Sequence, residues 1–69
     1  MANLRTGDIK RFENEPHVFA PNDNWAVVGD DSVIGCPSRS WARADKLPGE
    51  RIAKIVKRTP KYVTVEITK

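Results

Sequence analysis

The sequence predicts a mostly β fold, a small barrel or curved antiparallel sheet with one short helix near 39–46. Three observations predict it. Arg51–Lys69 reads as two runs of β-branched residues around Thr59-Pro60-Lys61. A second pair of apolar runs, Trp25–Val28 and Val33-Ile34, flanks the turn formers Gly29-Asp30-Asp31-Ser32. Gly and Pro recur between short segments, at the close spacing of small all-β modules.

In chain order, Thr6-Gly7-Asp8 is a turn, and Ile9–Glu13 suits a short irregular strand that Asn14-Glu15-Pro16 breaks. His17–Ala20 is a second candidate strand, stopped by the turn formers Pro21-Asn22-Asp23-Asn24. Trp25–Val28 and Val33-Ile34 then form a hairpin with an acidic tip. After Gly35-Cys36-Pro37, Ser38 or Ser40 can cap a helix of one or two turns through Trp41 to Lys46, which Leu47-Pro48-Gly49 ends.

The last hairpin is the best organised stretch. Pro60 fixes φ near the value the first corner of a tight turn needs. A three-residue loop sets Ile55 opposite Val65, Ala53 opposite Ile67 and Lys54 opposite Glu66; a two-residue loop sets Val56 opposite Val65 instead. Either register keeps Val63, Val65 and Ile67 on one face, as core. The rival is an α+β fold with a helix at 50–58, because Ile52, Ile55 and Val56 fall at helical spacing between Pro48/Glu50 and Lys57/Arg58.

With 69 residues the chain reads as one small domain with a small core. A hydrophobic fraction of 39% with 30% charged residues excludes a fully disordered class. Cys36 has no second cysteine to pair with, and with only His17 beside it cannot build a zinc finger. The charged N-terminus lacks the apolar stretch of a secretory leader, and no run approaches the ~20 apolar residues of a membrane span. A cytoplasmic location follows as the expectation.

The net charge of +3 hides a bipolar layout. Glu13, Glu15, Asp23, Asp30 and Asp31 fall in a stretch with no Lys or Arg, whereas Arg39, Arg43, Lys46, Arg51, Lys54, Lys57, Arg58, Lys61 and Lys69 dominate the rest. Such a basic half suits nucleic acid or an acidic protein rim.

The opening Thr6-Gly7-Asp8-Ile9, the Trp25–Val28 strand and the Ile55–Val65 hairpin together resemble the layout of small SH3-like barrel modules, with Ser38–Gly49 as a departure from it. In size, charge and shortage of catalytic groups the chain also resembles, in type, the small proteins phages make to bind host RNA polymerase and redirect transcription. That likeness implies a regulator acting by inhibition or antitermination, and carries no residue across.

Candidates for chemistry are few. An imidazole beside a thiol can lower its pKa, so Cys36 and His17 are the pair an enzyme would use. Asp30 and Asp31, with Asp23, are carboxylates for a divalent cation, but the spaced ligands of a calcium loop are missing. No glycine motif cradles a phosphate. The expectation is a non-enzyme without cofactor or metal.

What remains is binding. Lys54, Lys57, Arg58 and Lys61, with Arg39, Arg43, Lys46 and Arg51, form the largest like-charged group; Tyr62 can stack on an unpaired base, and Trp41 or Leu4-Arg5 can anchor a protein partner. The first expectation is a monomeric, non-membrane interaction module that binds a larger host protein such as RNA polymerase. The second is a module that contacts nucleic-acid backbone directly through the basic hairpin.

Overall fold

Strict alternation along Tyr62–Ile67 (β5) sets Val63, Val65 and Ile67 on one face, and all three are completely buried. Burial of each such side chain contributes about 1.5–3 kcal/mol relative to exposure. The computed structural model describes residues 4–68; Lys69 of the basic half lies outside them.

The strands are Ile9–Glu13 (β1), Trp25–Val28 (β2), Val33–Cys36 (β3), Arg51–Arg58 (β4) and β5, with one helix, Arg39–Asp45 (α1), between β3 and β4. They form a five-stranded sheet in the order β1-β5-β4-β2-β3, every neighbouring pair antiparallel. The sheet curls into a half-barrel. Its inner face gathers Phe19, Ala26, Val28, Ala53, Val63, Val65 and Ile67, with Leu4, Phe12, Val18, Val33 and Ile55 at the margin. A second, smaller core lies on the outer face, where Ala42 of α1 covers Val27, Ile52 and Cys36 beside Trp25.

Arg51–Arg58 is strand, so the helix at 50–58 is excluded. Pairing of β4 with both β2 and β5 overrides the helical spacing of Ile52, Ile55 and Val56, and Ile52 is buried under α1 while Val56 is exposed. Both hairpin registers occur in the same ladder. Near its base Ala53, Lys54 and Ile55 face Ile67, Glu66 and Val65; beyond a bulge at Val56, Lys57 and Arg58 face Thr64 and Val63. The turn therefore closes on Pro60-Lys61, with the Thr59 N–H donating to the Tyr62 carbonyl (2.8 Å) and the Tyr62 N–H to the Thr59 hydroxyl (3.0 Å).

His17–Ala20 is not a strand. The Val18 and Phe19 N–H groups donate back to the Glu15 carbonyl (3.0 and 2.8 Å), so Pro16 opens a tight turn that drives Phe19 into the core beside Phe12. The Val18 carbonyl then accepts from the Gly35 N–H at 2.8 Å, covering part of the β3 edge. Ser38 is the helix cap, its hydroxyl accepting from the Trp41 N–H. Seven residues are too few to hold a helix alone, so α1 depends on the contact of Ala42 with the sheet. Gly49, at φ +89°, makes the turn into β4.

Candidate nucleic-acid interface

Since side chains alternate across a sheet, the residues that β4 and β5 do not bury share the outer face. One row crosses the whole sheet: Cys36, Trp25, Lys54, Glu66 and Ile9 stand opposite one another in turn. The next row toward the hairpin tip is Lys57, Thr64 and Arg11. The Arg11 guanidinium lies 4.7 Å from the centre of the Tyr62 ring, and that of Arg39 lies 6.0 Å from the Trp25 ring. The outer face thus carries Arg39, Lys54, Lys57 and Arg11 beside two aromatic rings.

Acids temper this field without neutralising it. Glu66 faces Lys54 and Glu13 faces Tyr62, yet no ion pair joins Lys54, Lys57 or Arg11 to a carboxylate among the described residues. Exposed ammonium and guanidinium groups held by one rigid sheet can neutralise successive phosphates of a strand laid across them.

The other expected site residues separate into groups. Arg43 lies one helical turn beyond Arg39, both lining the same shallow hollow on α1, and Trp41 is 59% exposed. Lys61 sits at the hairpin tip and shares a hollow with Glu13 and Glu15, which oppose its charge. Arg58 points to the inner side, opposite Val63, and is a clamp: it donates to the carbonyls of Phe19 (2.6 Å) and Ala20 (2.8 Å). Leu4 packs at the margin of the inner core, its carbonyl accepting from Arg51 at 2.6 Å, and the Arg5 N–H donates to Asp8.

Arg11 escaped the sequence reading. Its signal was the spacing Ile9-Arg11-Glu13, which places it on the face of Thr64 once β1 pairs with β5.

The residues considered for catalysis and metal binding are kept apart. Cys36 is buried beneath α1, and burial, then Asp45 and Asp23, push its thiol pKa up, the reverse of what a thiolate nucleophile needs. His17 is on the surface with its Nε2 3.0 Å from Glu15. Asp23 is buried at one end of β2, its carboxylate accepting from the Ala20 N–H (2.8 Å), while Asp30 and Asp31 are exposed beyond the other end. No cluster of three potential metal ligands occurs among the described residues. Nor is any helix among them long and apolar enough to cross a membrane.

Comparison of the chain with protein-family models, with curated proteins and with solved structures gave no match.

Proposed function

We propose that the protein is a non-catalytic interaction module that binds single-stranded nucleic acid by its backbone, across the outer face of β1, β5 and β4. The observation that carries this is the gathering of Lys54, Lys57 and Arg11 on one exposed sheet face beside Tyr62 and Trp25, with Arg39 of α1 reaching over the Trp25 ring at its margin. Cations track phosphates, and the rings offer stacking to unpaired bases. The burial of Cys36 away from the exposed His17 supports the non-catalytic part. Likeness to SH3-like modules belongs to the same proposal: the half-barrel supports it, and α1 on the outer face is where this chain departs.

The test replaces Arg11, Lys54 and Lys57 by Gln together, all three being exposed. Affinity for a short single-stranded oligonucleotide at low salt falls at least about tenfold while the circular dichroism stays unchanged. Full retained affinity overturns the proposal.

A second reading, a phage-type regulator that binds host RNA polymerase, draws on a different observation. Trp41 is 59% exposed next to Arg39 and Arg43, and a large ring flanked by arginines is the kind of anchor that dominates protein interfaces.

A further inference from the structure

The half-barrel ends in two edge strands, β1 and β3; the Val18 carbonyl covers part of β3 at Gly35, and the geometry of the two edges specifies what fits between them. Because direction alternates along the order β1-β5-β4-β2-β3, both edge strands run the same way. Joining them directly would make a parallel pair in an otherwise antiparallel sheet. One further strand, running opposite, would be antiparallel to both.

The β1 edge is open for such a strand. The Ile67 N–H donates to the Asp8 carbonyl (2.8 Å) and the Asn14 N–H to that of Lys61 (2.9 Å), so in the ladder between them Lys10 and Phe12 turn their backbone groups to β5. Those of Ile9 and Arg11 point away, with no partner among the described residues. On the inner side of this edge lies a cleft of about 290 Å³, walled by Leu4 and Phe12 on one side and Val28 and Val33 on the other. Lys10 and Asp30 also line it.

We propose that an extended segment of a partner protein adds to β1 as a sixth, antiparallel strand, placing an apolar side chain in this cleft and an acidic one opposite Arg11. Its chemistry follows from the faces of β1. Residues opposite Lys10 and Phe12 turn inward to the cleft, and the residue between them shares the outer face with Arg11. The recognised pattern is therefore apolar, acidic, apolar. Because this chain bounds the cleft on both sides, it admits a lone strand; the β1 of a second copy would arrive with its own β5 attached. This proposal rests on the edge and the inner cleft and not on the nucleic-acid reading, with Arg11 the one residue that both use.

The experiment titrates the 15N-labelled full chain with the acetylated, amidated peptide Thr-Val-Glu-Val-Thr up to millimolar concentration. Expected are shifts of the Ile9, Arg11 and Val33 amides, with hydrogen exchange at Ile9 and Arg11 slowed at least about tenfold at saturation. Ile9→Pro removes an N–H that β5 does not use, so the fold is kept and peptide affinity drops at least about tenfold. The same peptide N-methylated at Glu, which cannot donate to Arg11, loses binding whatever becomes of that variant. No shifts at millimolar peptide, or equal shifts with the N-methylated peptide, overturn the proposal. So do shifts of these amides with protein concentration alone, which would give the edge to a second copy.

Discussion

The Arg58 guanidinium donates to the Phe19 carbonyl at 2.6 Å, tying the end of β4 to the turn that carries the largest fully buried side chain of the core. The same group reaches the Ala20 carbonyl, and Arg51 does the equivalent at the other end of β4, donating to the carbonyls of Leu4 and Thr68. Two basic residues of the hairpin therefore hold the fold together and do not belong to the exposed patch. Arg58→Ala is expected to destabilise the protein by about 1.5–3 kcal/mol, the range for hydrogen bonds from a charged donor. Lys57→Ala, exposed on the same strand, should stay within about 0.5 kcal/mol of wild type. Urea unfolding of the two variants checks the contrast.

Gly35 is needed because the chain closes tightly over β3. A Cβ there would collide with the Asp23 carboxylate and come within 2.8 Å of the Val18 carbonyl, itself bonded to the Gly35 N–H. Neither can withdraw without breaking its own hydrogen bond. Gly35→Ala should cost about 1–3 kcal/mol in denaturant unfolding, as overpacked sites do. At Gly29 the nearest atoms are the side-chain ends of Ser32 and Glu50, so Gly29→Ala should cost less.

Burial and the neighbouring Asp45 and Asp23 raise the Cys36 pKa in the folded state. The unfolded chain therefore releases the proton first, at the ordinary thiol value of about 8.5. The stabilisation is fully present below that pH and is lost as pH rises from there through the folded-state pKa. Wild type should exceed Cys36→Ala in stability at neutral pH, with the gap narrowing at alkaline pH. Thermal unfolding of both proteins between pH 7 and about 10 reads this; a constant gap would contradict the assignment.

Trp41 buries little against the sheet, so Trp41→Ala should leave the urea midpoint within about 0.5 kcal/mol of wild type. If the residue anchors a protein partner, the same variant loses that partner in capture from nuclease-treated lysate.

Much of the fold was legible because the apolar pattern is strict where the sheet is buried. The alternation of Val63, Val65 and Ile67 gave the core strand, and turn formers at Gly29–Ser32 gave the other hairpin. The hairpin register could not be chosen between two loops because the bulge at Val56 realises both. His17–Ala20 misled because Val18 and Phe19 look strand-like, while the burial of Phe19 comes from a turn opened by Pro16. The role of Arg58 was hidden in the same way: only the register beyond the bulge places it beside Val63 on the inner side. Arg11 joined the basic face through β1–β5 pairing, a contact between chain ends that no local window contains.

The outer face as a nucleic-acid site is tested most simply by the affinity for a fluorescein-labelled single-stranded DNA, read by anisotropy at salt from about 50 to 200 mM. With Arg11, Lys54 and Lys57, joined or not by Arg39, each meeting a phosphate, the logarithmic salt slope should be about −2 to −3, weakening binding about 20- to 50-fold over that range. Absence of binding at 50 mM salt, or an affinity indifferent to salt, would contradict the account.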